Sequence, residues 1–234
     1  MTTHECFAQA EAIIHHDYTA VDPDRNAVLS TASALSPEQS ARVITQYTFF
    51  TKAIVDILST ATENLRCWPE VATELERNIA EELGGGHPDR AHYTVFKRGL
   101  EDELGIAVGA AEPGPATVHF LDALTRATSD HRPFFVAGAV YTIEATAVAE
   151  LRIVRTLIGD YARISGNRIV DPDGLIHLFL ESHINGFEPQ HEMGLRQVVG
   201  GRLLAGNGRG DFLAGCASVM HAMDDWWTGL AAAA

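Results

Sequence analysis

Apolar residues recur every three or four positions along most of the chain, which is the spacing of one face of an α-helix. No segment shows the sustained alternation of apolar and polar residues that is typical of a half-buried strand. Proline and glycine clusters separate the periodic segments. Ser36 before Pro37 is a strong helix start, and the glycines at 84–86 are a strong stop. We therefore predict helices over about residues 4–20, 36–62, 68–83, 88–104, 116–129, 132–165, 175–204 and 211–230, with a turn-rich loop over 167–174.

The chain has the size and composition of one helical domain. It has 234 residues, 46% of them hydrophobic, with no internal repeat and no linker long enough to divide it. We predict an all-α bundle of about seven to eight helices over residues 1–234. The longest apolar stretch, residues 134–149, is shorter than the roughly 20 residues that span a bilayer. It is better explained as the core helix of a soluble protein.

Charge and cysteine usage limit the partners and the compartment. The formal net charge of -14 argues against nucleic acid and anionic membranes, whose phosphates would repel the protein. The N-terminus lacks the basic and apolar regions of a signal peptide. The three cysteines, Cys6, Cys67 and Cys216, are odd in number and widely spaced, so we expect a reducing cytoplasm rather than a disulfide framework.

One carboxylate interrupts the long apolar segment. Glu144 has Val140 and Val148 one turn away on either side, so its side chain is predicted to face the core. A buried ionised carboxylate must be protonated, paired or bound to a metal. A salt bridge to Arg152 or Arg155 is the alternative to a metal site at this point.

A second group of polar residues follows in the late helix. Glu188 and His191 are three residues apart and share a helix face, the spacing that carboxylate-bridged di-iron sites use in helical bundles. His183 precedes Glu188 by five residues, which a regular helix would turn off that face. A π-bulge between them would restore the alignment, and without it a second metal would be held by fewer side chains. Solvent-facing polar residues near a kink at Pro189 are the alternative.

A third group flanks the glycine break. Glu82 follows Ile79 by three residues, which places it on the inner face of its helix, whereas Glu81 is expected to point more outward. His92 lies in the next helix, and surface positions for both residues are the alternative. The three groups together supply three carboxylates and three imidazoles, a set that suits two iron ions, or iron and manganese, better than a closed zinc site. The six candidate metal ligands and catalytic residues are Glu82, His92, Glu144, His183, Glu188 and His191.

These motifs resemble the haem-oxygenase-like di-metal oxidases. Residues 78–92 carry the pattern N-x-x-x-E-L-G-x-G, followed a few residues later by a histidine, here His92. The middle segment carries a glutamate shortly after a tyrosine, here Glu144 after Tyr141. The late segment is similar to H-x-x-x-D/E-x-x-H, with one extra residue after His183. The resemblance covers nearly the whole chain.

The resemblance implies a haem-oxygenase-like bundle around two Fe(II) ions, with dioxygen as co-substrate and an external reductant delivered by an electron donor. The implied reaction is hydrogen abstraction from a small substrate, for which we expect a free aliphatic amino acid in natural-product biosynthesis. Desaturation, carbon–carbon cleavage, N-oxygenation and cyclisation, such as azetidine formation, are all compatible outcomes.

Several alternatives stay open. The same fold resembles cofactor-free quinone-cofactor synthases and thiaminase-like hydrolases, and a fatty-acid-cleaving oxidase or a non-enzymatic helical scaffold is also compatible. None of the three cysteines lies beside the ligand candidates in sequence, which argues against a cysteine nucleophile. An exposed Trp226–Trp227 pair could form a homodimer contact, but core packing is the favoured interpretation.

Substrate-side candidates follow from their positions near the predicted ligands. Aromatic residues are expected to line a cavity, and an arginine could hold a substrate carboxylate through paired hydrogen bonds. Ordinary core or surface positions are the alternative for each. The candidates are Tyr93, Phe96, Tyr141, Arg152, Arg155 and Phe187.

Overall fold

The computed structural model describes residues 3–166 and 171–234. The described residues form helices joined by loops, with no strand among them. The helices are α1 (Thr3–Ala12), α2 (Pro37–Asn64), α3 (Pro69–Glu82), α4 (His92–Leu104), α5 (Pro115–Thr128), α6 (Pro133–Ile164), α7 (Leu175–Ser182), α8 (Glu188–Ala205) and α9 (Arg209–Ala233). The predicted all-α class is confirmed. Positions 167–170 of the predicted 167–174 loop lie outside the described residues.

The helix starts follow the local sequence signals. The Ser36 side chain accepts a hydrogen bond from the Gln39 amide, and the Gln39 side chain accepts one from the Ser36 amide. This reciprocal cap satisfies two amides at the start of α2 that have no helical partner. α2, α3, α5 and α6 all begin with a proline, whose missing amide proton costs nothing at that position.

Two short π-helical segments interrupt the regular pattern. Ile13–Asp17 extends α1, and His183–Phe187 joins α7 to α8. The single helix predicted over 175–204 is therefore two α-helices joined by a π-helical turn. That turn lies where the five-residue spacing from His183 to Glu188 requires an extra residue.

α6 forms the centre of the bundle. It packs against α9, α2 and α8, and its most apolar 18-residue window is 67% buried. Length and composition alone would let Pro133–Ile164 cross a membrane, but a mostly buried core helix of a soluble protein has the same properties. The prediction of a core helix agrees with this burial.

Glycines let α6 and α9 approach closely. A Cβ atom on Gly138 would lie 1.9 Å from the Phe212 carbonyl oxygen, and one on Gly215 would lie 2.1 Å from that of Phe135. Both distances are far inside van der Waals contact, so the helices could not cross here with larger residues. The site residues on α6 depend on this crossing for their position.

The tryptophan pair packs in the core, which is the interpretation that the sequence favoured. Trp226 and Trp227 are each only 1% exposed, so core packing is the correct alternative and the pair offers no dimer contact. Tyr47 stacks on Trp226 with ring centroids 6.0 Å apart. The Trp226 indole donates a hydrogen bond to Thr117 Oγ1 at 3.1 Å. α9 is covered by α5 and α6, which a pattern within α9 alone does not indicate.

The close crossing makes a stability prediction. Gly138→Ala should destabilise the protein by about 1–3 kcal/mol, because the added methyl group forces the two helices apart. Gly159→Ala is the matched control: Gly159 lies in the same helix, with no atom within 4 Å of its added Cβ. That control should be stabilised by about 0.5–1 kcal/mol through its better helix propensity. Urea denaturation compares the two, and an equal effect would refute the proposed role of Gly138.

Candidate metal centre

The fold brings the six predicted ligand residues together in its interior. Every one of them is buried, with at most 9% of the residue exposed. They come from the end of α3, the start of α4, the middle of α6, and the π-helical turn with the first turn of α8. The residues are Glu82, His92, Glu144, His183, Glu188 and His191.

The glycine break positions Glu82 and His92. Glu82 is the last residue of α3 and His92 the first of α4. The three glycines between them have φ values of 79°, 60° and 88°, a conformation that other residues rarely adopt. The chain therefore turns sharply enough to bring His92 Nδ1 to 3.0 Å from Glu82 Oε2. This nitrogen nevertheless has no hydrogen bond of acceptable alignment among the described residues.

The π-helical turn positions His183. Its Nδ1 is 2.6 Å from the Phe179 carbonyl oxygen, which can only accept, so Nδ1 carries the proton. Its Nε2 is then free of a proton, buried and without a hydrogen-bond partner among the described residues. Burial, reinforced by His92, lowers the pKa of His183 to about 3. His183 is thus a neutral imidazole with an unused lone pair, the form that binds a metal.

Glu144 faces the core as predicted, but its partners are not arginines. Its Oε1 accepts a hydrogen bond from the Asn78 amide at 3.2 Å, and its Oε2 lies 3.2 Å from His191 Nδ1. The salt bridge to Arg152 or Arg155 that the sequence left open is not formed. Asn78 belongs to the first motif, and its contact with Glu144 joins α3 to α6 across the site.

His191 lies among carboxylates. Its Nδ1 is 3.2 Å from Glu144 and 3.6 Å from Glu188 Oε2, and its Nε2 is 2.9 Å from Glu81 Oε2. Burial alone would lower the pKa of His191, but the hydrogen bonds with Glu144 and Glu188 outweigh it and raise the pKa to about 11. Burial, reinforced by Glu144 and Glu82, raises the pKa of Glu188. The site therefore concentrates negative charge that one histidine neutralises only in part.

These residues fit a metal cation. Oxygens of Glu82 and Glu188 and a nitrogen of His191 lie within 4.8 Å of one another, close enough to share one ion. The rings of His92 and His183 have centroids 4.1 Å apart, so these two histidines offer a pair of further nitrogen donors. Neutral nitrogens and carboxylate oxygens are a donor set suited to iron or manganese.

A small cavity of about 50 Å³ adjoins five of the six residues, all except His191. It is bounded by Glu82, His92, Glu144, His183 and Glu188 on one side. The remaining lining is mostly apolar: Tyr47, Phe50, Thr51, Ile54, Ile143, Ala147, Leu151 and Phe179. None of these described lining residues is a lysine or an arginine.

The two arginine candidates do not reach the cavity. Arg152 and Arg155 are exposed on the outer part of α6, and Arg155 Nη1 pairs with Glu181 at 3.2 Å. The prediction of a substrate clamp at either residue is wrong. Both arginines lie on the solvent-facing side of α6, whereas Ile153 and Val154 between them face the core.

The aromatic candidates divide into two pairs. Phe187 lies against the ligands, with ring centroids 5.1 Å from His92 and 5.4 Å from His183. Phe96 is fully buried one layer behind, stacked on Phe179 at 4.6 Å. Neither Phe187 nor Phe96 lines the cavity, so the predicted lining role is wrong for this pair.

The two tyrosine candidates point away from the cavity. Tyr141 packs on Phe7 and Phe212, and Tyr93 is half-buried beneath Lys52. Neither tyrosine lines the cavity, so the predicted lining role is wrong for both.

Sequence reasoning missed four polar residues around the site. Tyr47, from α2, lines the cavity, and no motif marks it. Glu150 is fully buried on α6, where Thr146 donates a hydrogen bond to it at 3.0 Å and burial raises its pKa to about 8. Asn78 and Glu81 both belong to the first motif. Glu81 was expected to point outward, yet it contacts His191.

Solved structures share this fold. The chain is similar to a CADD-like protein of unknown function from Nostoc punctiforme PCC 73102, in a crystal structure at 2.00 Å resolution. The two share 31% identity with a TM-score of 0.89, over 99% of this chain and 98% of that one. A second structure of that protein, at 1.35 Å, gives 29% identity and a TM-score of 0.85, over 99% of this chain and 95% of that one. Among curated proteins, none matches.

A family model describes nearly the whole chain. The model is a domain of unknown function with solved structures, DUF3865, and it matches residues 5–233. The match spans all six candidate ligands and every helix from α2 to α9. The chain belongs to the DUF3865 domain family.

Proposed function

We propose that this protein is a non-haem di-iron oxidase or oxygenase with a haem-oxygenase-like bundle. The observation that carries the proposal is the buried set of three carboxylates and three imidazoles on four helical segments. Among the described residues, no lysine or arginine contacts these three carboxylates, whose polar partners are His92, His191 and the Asn78 amide. Two divalent cations would supply the missing positive charge.

Their contacts divide the proposed ligands into two groups. Glu82, His92 and His183 form one, because His92 lies beside both of the others. Glu144, Glu188 and His191 form the second, because His191 lies beside both carboxylates. Glu82 and Glu188 both approach the centre of the cluster and could serve both ions. We propose iron at both positions, with manganese as a possible substitute at one.

Two ferrous ions would supply the redox chemistry, in which dioxygen is reduced and a hydrogen atom is removed from an unactivated carbon of the substrate. The chain itself contributes the rest. Asn78 orients Glu144, the Phe179 carbonyl fixes the tautomer of His183, and the apolar lining excludes water. An external reductant, delivered by an electron donor, would restore the ferrous state.

The substrate is proposed to be small and partly aliphatic. The cavity of about 50 Å³ has room for only a few heavy atoms, and Phe50, Ile143 and Leu151 give it hydrocarbon walls. A free aliphatic amino acid in a natural-product pathway is our first candidate, which desaturation, cleavage or cyclisation would then modify.

A fatty acid is the second candidate: the mostly apolar lining favours it, although its alkyl chain would need more room than the cavity of about 50 Å³ offers. With Arg152 and Arg155 at the surface, the described lining offers no cation for a substrate carboxylate. The carboxylate would then bind at the metals, and only the alkyl chain would contact the protein.

The thiaminase-like alternative lacks a suitable nucleophile. Cys6 and Cys216 are buried and Cys67 is exposed, and none of them lines the cavity. Burial raises the pKa of Cys216 to about 12, which leaves almost no thiolate at neutral pH.

A reducing cytoplasm, which the three free cysteines suggest, would also suit a ferrous enzyme.

Iron stoichiometry tests the proposal. Anaerobic titration with ferrous iron should give about two ions per wild-type chain. Glu144→Gln should lose at least one of them, because an amide oxygen is a much weaker ligand than a carboxylate. Its carbonyl oxygen can still accept from Asn78, so the fold should be preserved.

Glu150→Gln is the matched control. Glu150 is also buried on α6, but its Oε1 accepts from Thr146 and none of the six ligand side chains is hydrogen-bonded to it. It should keep both irons. Wild-type protein that retains no iron, or a Glu144→Gln variant that binds as wild type does, would end the di-iron proposal.

Metal affinity should weaken as the pH falls. His191, with its pKa raised to about 11, holds a proton throughout the neutral range, and burial also raises the pKa of Glu188. Each bound cation must displace such protons, and every proton displaced changes the affinity about tenfold per pH unit. The apparent dissociation constant should therefore rise at least about 100-fold from pH 8 to pH 6. A dissociation constant that is unchanged over that range would contradict the assignment of His191 as a ligand.

A further inference from the structure

His191 differs from the other two histidines of the site in its surroundings. It is fully buried, and both of its ring nitrogens face carboxylates. Nδ1 points to Glu144 and Glu188 inside the site. Nε2 points the other way, to Glu81 Oε2 at 2.9 Å. One nitrogen therefore faces the proposed metal position and the other faces the protein exterior.

Glu81 is held in place from its far side. Arg77 Nη1 donates to Glu81 Oε1 at 2.8 Å, and the same arginine pairs with Glu74. The Glu81 side chain is 29% exposed, so this chain of alternating charges leads from the surface to a buried imidazole. A carboxylate fixed in this way needs little reorganisation to hold the His191 proton.

A comparison with His183 indicates what this contact does. At His183, Nδ1–H donates a hydrogen bond to the Phe179 carbonyl, and Nε2 has no hydrogen-bond partner among the described residues. At His191, Nε2–H donates a hydrogen bond to the Glu81 carboxylate, and Nδ1 faces the proposed metal position. The two histidines therefore present opposite nitrogens. A hydrogen bond from the outer nitrogen fixes the tautomer and ring orientation of a ligand histidine, and a carboxylate acceptor also makes the inner nitrogen a stronger donor.

We propose that Glu81 is a positioning residue, which holds the Nε2 proton of His191 and so assigns Nδ1 as the atom that binds metal. The proposal rests on the metal site of the proposed function. Because Glu81 is charged and the Phe179 carbonyl is not, the ion at His191 is the more tightly held of the two.

Cobalt(II) is the probe, because it substitutes for ferrous iron without oxidation and shifts the NMR signals of its ligands. In ¹⁵N-histidine-labelled, cobalt-loaded wild type, the strongly shifted His191 N–H should be the Nε2 proton, in slow exchange with water. In Glu81→Ala this proton should exchange at least about tenfold faster. Cobalt affinity at this position should also fall about 10–100-fold, the usual effect of removing such an outer partner.

Two further variants separate positioning from general damage. Glu81→Gln keeps an oxygen that can accept from Nε2, so its exchange rate and affinity should lie between those of wild type and Glu81→Ala. Glu74→Gln disturbs the same Arg77 without touching His191 and should behave as wild type. Circular dichroism of the metal-free proteins checks that each variant is folded.

Three outcomes would overturn the proposal. They are cobalt bound to His191 through Nε2, an N–H exchange rate in Glu81→Ala equal to that of wild type, and an equal loss of affinity in Glu74→Gln. In each case wild type still binds cobalt, so the proposed function survives. Wild-type protein that binds no cobalt at all would overturn both.

Discussion

The structure depends on one electrostatic constraint: three carboxylates share a buried space in which a histidine is their main source of positive charge. Removing an ionised carboxylate from water costs several kcal/mol unless it is paired, and neighbouring carboxylates add mutual repulsion. The raised pKa values of Glu188 and His191 are the response of the metal-free protein to that cost. Metal cations would remove the repulsion and also use the free nitrogen of His183.

The bundle meets this constraint with local departures from regular helix. The glycine turn after α3 brings Glu82 to His92, and the π-helical turn puts His183 on the same face as Glu188 and His191. The close crossing of α6 and α9 fixes the helix that carries Glu144. Each departure is costly for the backbone or restricts the residue choice, which is expected where a site, rather than stability, determines the local structure.

Sequence patterns predicted the features whose signal is local. Helical periodicity and proline or glycine boundaries gave the helices, because their causes lie within a few residues. Glu144 was predicted to be buried because apolar residues surround it in sequence, and the His183–Glu188 spacing pointed to the π-helical turn that the structure contains. Features set by packing between distant elements were missed or wrong. Glu81 contacts His191 from another helix, and Arg152 lies on the solvent-facing side of α6.

The most direct measurement of the central claim is anomalous X-ray diffraction at the iron edge, from crystals grown anaerobically with ferrous iron. The account predicts two anomalous peaks within the buried cluster. One should lie between Glu82, His92 and His183, and the other between Glu144, Glu188 and His191. A single closed tetrahedral site, or iron bound only at the surface, would contradict it.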